Sequence, residues 1–134
     1  MALFLATVRQ MVVCEDVRSV SGKPQSLSLI NLLGRIRSSS TPPFPYHAPP
    51  FCVYAQLASC RGVCDLHIEI EEADSQTIIL RTPRLRHYFG NDPLRVFGKV
   101  FRFRSCVFPS GGLYSVQLCY NGIGIAYEPL IVEG

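Results

Sequence analysis

The stretch Val63-Cys-Asp-Leu-His-Ile-Glu-Ile-Glu71 alternates apolar and polar side chains from its second residue to its last. Successive side chains of a β-strand point to opposite faces of the sheet, so this period of two predicts a strand with one buried and one wet face. The buried face would carry Cys64, Leu66, Ile68 and Ile70, and the wet face would carry Asp65, His67, Glu69 and Glu71.

The period of two returns in other segments. Residues 97–104 and 114–120 alternate in the same way, and Asn121-Gly122 then predicts a two-residue hairpin turn because both residues tolerate a positive φ. The chain returns over residues 123–132, and apolar runs at residues 5–14, 26–37, 51–57 and 77–80 supply four more strands. Eight strands joined by short turns predict an antiparallel sandwich or barrel.

The length and composition suit one folded domain over residues 1–134. The chain is 48% apolar and 17% charged, a balance that argues against disorder, and a single domain of 134 residues buries enough surface for a core of its own. The residues expected to face that core are Val53, Ala55, Leu57, Leu66, Ile68, Ile70, Phe101, Phe103, Tyr114, Val116 and Leu118.

Residues 38–50 contain five prolines among thirteen residues. Proline lacks a backbone donor and favours extended polyproline geometry, so we expect a crossover loop rather than a strand. The alternative is a docking ligand for an aromatic-lined groove on another protein. The position in the middle of the domain, with two aromatic side chains able to pack back, favours the crossover loop.

The net charge of +3 conceals two opposed blocks. Residues 65–74 hold five acidic residues without Lys or Arg, whereas residues 81–104 hold seven basic residues against Asp92 alone. If the blocks are adjacent, their charges pair across strands; if they are apart, the second block is a basic surface for an anionic partner. The candidate anion-binding residues are Arg81, Arg84, Arg86, Arg95, Arg102 and Arg104.

Aromatic residues alternate with these arginines, a pattern that nominally resembles single-strand nucleic-acid platforms. On a strand of period two, however, Phe97, Phe101 and Phe103 point away from the arginines and into the core. We therefore do not expect a nucleic-acid partner, and nucleic-acid binding is kept as an alternative to be tested.

The sequence predicts no catalytic, cofactor-binding or metal-binding residue. It lacks the Gly-x-Ser-x-Gly elbow, the His-Glu-x-x-His motif and a glycine-rich phosphate loop leading into a helix. Cys60-x-x-x-Cys64 has no second ligand pair, and His47, His67 and His87 are scattered and expected at the surface. We therefore expect a protein that is not an enzyme and needs no cofactor.

The N-terminal segment is apolar but does not predict a signal peptide, because it lacks a basic start and Arg9 interrupts it. No run of 18 apolar residues exists, so we expect no membrane span. Without an export signal, the six cysteines are expected to be reduced, mostly buried thiols in the cytoplasm.

The C-terminal quarter resembles the closing hairpin of immunoglobulin-like sandwiches. Pro109-Ser-Gly-Gly-Leu-Tyr114, the alternating strand, Asn121-Gly122 and Glu128-Pro-Leu-Ile-Val132 follow that order, and Tyr114 matches the tyrosine whose hydroxyl bonds the backbone at a corner. Antibody domains also carry a disulfide and a buried Trp, and this chain has no Trp. The resemblance implies an immunoglobulin-like antiparallel β-sandwich of seven to nine strands.

The N-terminal quarter resembles a family of small uncharacterised bacterial proteins, a domain of unknown function. The matching features are Cys14-Glu-Asp-Val17, Gly22-Lys23 and Leu27-Ser-Leu-Ile-Asn-Leu-Leu-Gly34, followed by the proline-rich crossover and the closing hairpin. The resemblance implies a bacterial origin and supplies no catalytic residues. We therefore expect a protein-interaction or assembly module in the bacterial cytoplasm, with a protein partner or self-association through an edge strand or sheet face. The alternative is binding of an anionic ligand or nucleic acid through residues 81–104.

Overall fold

A computed structural model describes residues 6–92 and 94–134, which form twelve β-strands. In chain order these are β1 (Thr7–Val20), β2 (Lys23–Leu32), β3 (Arg35–Arg37), β4 (Tyr46–Ala48), β5 (Phe51–Ala58), β6 (Val63–Glu72), β7 (Ile78–Arg81), β8 (Leu85–Tyr88), β9 (Phe97–Phe103), β10 (Cys106–Phe108), β11 (Gly112–Tyr120) and β12 (Ile123–Glu133).

The strands form two large sheets and one small one. The first sheet has the order β2-β1-β5-β9, and the second has the order β3-β12-β11-β6-β7, with β8 also pairing with β6. Strands β4 and β10 form a separate pair, and every pairing is antiparallel except that of β3 with β12. The described residues contain no helix, and therefore none that is long and apolar enough to cross a membrane.

The all-β prediction is therefore confirmed, whereas the strand number differs from the seven to nine expected. The additional strands are short: β3, β4 and β10 have three residues each, and β8 has four. Hydrophobic alternation is hard to recognise over three or four residues, so β4, β8 and β10 are not predicted as separate strands, and β3 is not separated from β2.

The inward faces of the two large sheets share one hydrophobic core. All eleven residues predicted to face inward are buried and belong to a single cluster with members from both sheets. Ile68 and Val53 illustrate the arrangement, since each lies in the middle of its sheet with no exposed surface. Burying a side chain of this kind stabilises the fold by about 1.5–3 kcal/mol.

Two local predictions for the closing hairpin are confirmed. Asn121 and Gly122 have φ angles of 52° and 80° and join Tyr120 to Ile123 in a two-residue turn. The Tyr114 hydroxyl donates a hydrogen bond of 2.7 Å to the carbonyl oxygen of Ser110. The tyrosine therefore fixes the corner that leads into β11.

The proline-rich segment does cross between sheets, because it leaves β3 in the second sheet and enters β5 in the first. It is not a loop throughout. Tyr46–Ala48 pairs with Cys106–Phe108, so that a short two-stranded ribbon lies within the crossover.

All six cysteines are free and buried, so the prediction of mostly buried thiols is confirmed. The prediction for His67 is wrong. It lies on the outward face of β6 as expected, yet it is only 1% exposed. His47 is exposed as predicted, but lies in β4, and His87 lies half-buried in β8 against the rings of Phe89 and Phe97.

Candidate functional site

A cavity of about 950 Å³ opens at one end of the first sheet. Its position follows from unequal strand lengths: β1 pairs with β5 only as far as Cys14, then continues to Val20 with β2 as its partner. This overhang forms one wall of the cavity. Strand β3 of the second sheet and Tyr46 of β4 also line it, so the cavity lies between the two large sheets.

The base of the cavity is apolar. Phe51 and Phe103 face each other across β5 and β9, and their rings stack with centroids 5.0 Å apart at an angle of 25°. Ile36 and Tyr46 add buried apolar surface from the other side. Because Phe51 and Phe103 are only 2% and 5% exposed, the stack closes the base against the core. The accessible apolar surface comes from Leu33, Pro49 and Pro50.

The rim of the cavity is positively charged. Within the described chain, its lining contains five arginines and two carboxylates, which leaves a formal excess of three positive charges. The charged groups come from both sheets and from the residues that follow β9. They are Glu15, Asp16, Arg18, Arg35, Arg37, Arg102 and Arg104.

Asp16 lies between two of these arginines. Its carboxylate accepts hydrogen bonds from Arg102 Nη1 at 2.9 Å and from Arg18 Nε at 3.1 Å. These two hydrogen bonds, chiefly that from Arg102, hold the pKa of Asp16 below its ordinary value of 3.8. Arg102 also donates to the carbonyl oxygen of Val17 at 2.9 Å, so it fastens β9 to the overhanging part of β1.

Two further arginines share a second carboxylate. Arg35 Nε and Arg37 Nη2 lie 3.6 Å and 3.4 Å from the same oxygen of Glu133, and both guanidinium groups are largely exposed. Arg104 makes no hydrogen bond or ion pair with any described residue. The cavity thus has more guanidinium groups than carboxylates to pair with them.

The thiol at the cavity does not provide a strong nucleophile. Cys52 lies 3.6 Å from Arg102 Nη1, and burial raises its pKa above 9.0 even though Arg102 acts in the opposite direction. A thiol that stays protonated at neutral pH reacts slowly. Cys52 is therefore a weakly reactive thiol at this cavity.

The six arginines predicted from the sequence do not lie together. Arg102 and Arg104 line the cavity, whereas Arg81 Nε bonds Glu69 at 2.9 Å and Arg86 Nε lies 3.5 Å from Asp65. Arg84 lies beside the hairpin turn at Gly122, and Arg95 precedes β9. Strands β7 and β8 thus pair part of the basic block with the acidic one, as the first alternative expects, whereas Arg102 and Arg104 lie apart from it at the cavity.

The sequence interpretation missed Arg18, Arg35 and Arg37. A signal was present, since Arg35-Ile-Arg37 and Arg102-Phe-Arg104 share an Arg-apolar-Arg pattern that places both arginines on the face opposite the buried residue. What the pattern does not contain is the topology that brings the two motifs, from different sheets, to one cavity.

A sequence model of the family of unknown function DUF6941 matches residues 9–133. The chain belongs to this family. The match agrees with the expected domain of unknown function, and it includes every residue of the cavity. No curated protein matches the sequence.

Proposed function

We propose that this DUF6941 protein binds an organic anion in the cavity between its sheets and is not itself an enzyme. The observation that carries the proposal is the convergence of five arginines on one cavity with an apolar base. A guanidinium group is a planar fork of donors that matches the oxygens of a phosphate or carboxylate. The alternative expected from the sequence, anion binding, is thus kept, at a different set of arginines.

The cavity also indicates the class of anion. A volume of about 950 Å³ lies at the upper end of the range for small-molecule sites, which is about 300–1,000 Å³. The accessible apolar side chains of Leu33, Pro49 and Pro50 favour a ligand with an aromatic or apolar body, and the arginines favour one phosphate or carboxylate group at the rim. An aromatic phosphate or carboxylate would place its ring against the apolar lining and its anionic group against the arginines.

Arg104 and Arg37 are the arginines best placed to test this. Arg104 has no partner among the described residues, and Arg37 shares its carboxylate at a distance of 3.4 Å. A charge-assisted hydrogen bond contributes about 1.5–3 kcal/mol, and 1.4 kcal/mol corresponds to tenfold in affinity. Replacing either arginine by Gln is expected to weaken binding at least about tenfold.

The experiment measures binding of naphthyl phosphate, naphthoate and the uncharged naphthyl alcohol by calorimetry. The two anions are expected to bind and the alcohol is not, and Arg104→Gln and Arg37→Gln should each lose affinity. Arg86→Gln is the matched control, because Arg86 is exposed and lies outside the cavity. An equal loss in the control, or no binding of either anion by the parent, would contradict the proposal.

The same assay examines the nucleic-acid alternative. A single-stranded oligonucleotide that bound through phosphates would lose affinity steeply as salt rises. Binding of this kind that survives Arg104→Gln and disappears in a combined Arg81→Gln, Arg84→Gln and Arg86→Gln variant would place the anion partner on residues 81–86 instead of the cavity.

A second candidate function is self-association through β8. Val63 and Tyr88 are opposite each other where β6 pairs with β8, and they are 56% and 64% exposed. We propose that a second copy of this chain covers this apolar pair by adding its own β8 to the sheet edge. Sedimentation should show a dimer that dissociates in Tyr88→Lys but not in Tyr127→Lys, which changes another exposed tyrosine on β12. A monomeric parent would refute this candidate.

We also infer that the two large sheets form an immunoglobulin-like sandwich in a bacterial cytoplasmic protein. The closing hairpin with the Tyr114 corner supports the first part, and six unpaired thiols support a reducing compartment. The bacterial origin rests on the family resemblance alone. An experimental structure and localisation of the tagged chain in its host would test these inferences.

A further inference from the structure

His67, Glu69 and Cys119 form a cluster on the outward face of the second sheet, away from the cavity. His67 and Glu69 are two residues apart on β6 and therefore point to the same face. Cys119 of β11 is the cross-strand neighbour of His67. A ring nitrogen, a carboxylate oxygen and the thiol sulfur lie within 4.8 Å of one another.

This part of the outward face is not an ordinary wet surface. His67 is 1% exposed, Cys119 is 4% exposed and the Glu69 side chain is 16% exposed. Hydrogen-bonding side chains that are buried to this extent normally have all their partners. The cluster therefore consists of polar groups that are held close together with little access to solvent.

One atom of the cluster lacks a partner. His67 Nε2 lies 3.0 Å from Glu69 Oε1, and a carboxylate only accepts hydrogen bonds, so Nε2 carries the proton in the neutral ring. Nδ1 is then left with a lone pair, and this buried atom has no hydrogen-bond partner within residues 6–92 and 94–134. Nε2, the ring nitrogen beside Glu69, is the one placed to share a metal ion with that carboxylate; the ion would replace the Nε2 proton, and the ring proton would move to Nδ1.

We propose that His67, Glu69 and Cys119 bind one divalent cation of the zinc class. Imidazole nitrogen and thiolate sulfur favour Zn²⁺ and its neighbours over Mg²⁺ and Ca²⁺, which take oxygen ligands. Bonds of about 2.0–2.3 Å place tetrahedral ligands within 4 Å of each other, so the three groups need to move by only about 1 Å. Arg81 Nε donates to Glu69 Oε1 at 2.9 Å and so helps to hold the carboxylate in place.

Three protein ligands leave a fourth position on a tetrahedral ion. Structural zinc sites are closed by four protein ligands, whereas sites with three keep one position for water or another small ligand. Glu69 is the most exposed member of the cluster, so that position would be reached from its side. The proposal does not depend on the proposed function, because the two sites share no residue.

The test is a titration of the full chain with Co²⁺ after removal of bound metal by a chelator, followed by displacement with Zn²⁺. A thiolate ligand gives Co²⁺ a sulfur-to-metal charge-transfer absorption in the near ultraviolet. We expect one equivalent to bind with this absorption and Mg²⁺ to give no effect. Cys119→Ser should abolish the absorption, and His67→Gln should weaken binding at least about 10-fold.

The matched control is Cys106→Ser, which changes a thiol equally buried but in the small sheet, with no place in the cluster. It should leave the titration unchanged. Absence of binding to the parent, or an absorption that persists in Cys119→Ser, would refute the site.

A measurement on the unmodified chain avoids variants that fail to fold. X-ray absorption at the zinc edge should show one sulfur ligand per ion with the remainder nitrogen and oxygen. Two sulfur ligands would contradict the proposal, because the cluster holds a single cysteine, and would point to another pair of the six thiols.

Discussion

Two regions of this molecule are rich in arginine, and they differ in what faces each guanidinium group. On the second sheet, Arg81 and Arg86 each lie against a carboxylate of their own, Glu69 and Asp65. At the cavity, five arginines lie among two lining carboxylates and Glu133. The number of arginines in a segment is therefore a poor guide to anion binding. The number of nearby carboxylates is a better one, because each carboxylate neutralises an arginine.

The difference arises from register. Antiparallel pairing of β6 with β7 places Glu69 opposite Arg81, and pairing of β6 with β8 places Asp65 opposite Arg86, so charges neutralise as the sheet forms. The arginines of the cavity are mostly not matched in this way, because Arg18 lies opposite Ser28, Arg35 opposite Ile131 and Arg102 opposite Cys52. Comparison of the two regions predicts that anion affinity depends on the arginines of the cavity and not on those of the second sheet.

The largest effect on stability is expected for Glu69→Ala in metal-free protein. The variant leaves buried His67 without its hydrogen-bond acceptor and removes the carboxylate that Arg81 faces. Loss of a partner by a buried polar group, together with the ion pair, should lower the free energy of unfolding by about 2–3 kcal/mol. Urea denaturation measures it, with Asp74→Ala in the exposed turn as control. Equal stability of the two variants would show that this region is not held by its charges.

The second effect concerns two arginines of the cavity that have different surroundings. Arg102 bonds both Asp16 and the carbonyl oxygen of Val17, whereas Arg104 bonds no described residue. Arg102→Gln should therefore destabilise the fold by about 1–2 kcal/mol, and Arg104→Gln should change it by less than about 0.5 kcal/mol. Urea denaturation of the two variants measures both changes. Equal losses of stability in Arg102→Gln and Arg104→Gln would show that the contacts of Arg102 do not stabilise the fold.

Much of the fold follows from the sequence because it depends on local pattern. Alternation identifies the inward residues of β5, β6, β9 and β11, and Asn121-Gly122 fixes a turn whose φ angles are positive at both positions. The burial of His67 and the composition of the cavity do not follow. Both depend on which strands become neighbours, and a metal-ligand motif that is divided between β6 and β11 has no spacing to detect.

The third effect is a loss of stability in acid to which Glu69 of the second sheet contributes. The hydrogen bond from His67, and after it the one from Arg81, holds the pKa of Glu69 below its ordinary value of 4.5, although burial acts against this. A depressed pKa in the folded state contributes stability that is complete above the ordinary value and is lost as the pH falls through the folded one. We expect the free energy of unfolding to fall between pH 5 and pH 3, at about the pH where carboxylates take up protons.

Glu69→Gln isolates this contribution. The amide still accepts hydrogen bonds and does not titrate, so the variant should lose less stability between pH 5 and pH 3 than the parent does. Asp16→Asn serves as the comparison from the cavity, because the pKa of Asp16 is lowered as well, chiefly by Arg102. A pH profile for Glu69→Gln that superimposes on that of the parent would contradict the assignment.

The smallest effect on stability is expected for Arg86→Gln. This variant tests whether Arg86 serves only in its ion pair with Asp65 or also binds an anion. Arg86 lies 3.5 Å from Asp65, and its side chain is 78% exposed, so water screens most of the attraction. Pairs of this kind contribute about 0–1 kcal/mol, and we expect a change in the free energy of unfolding below about 0.5 kcal/mol. Anion affinity should also be unchanged. If Arg86→Gln instead weakened anion binding as much as Arg104→Gln does, the anion would respond to the positive charge of both regions together. The cavity would then not be a distinct anion site, and the contrast with the neutralised second sheet would be wrong.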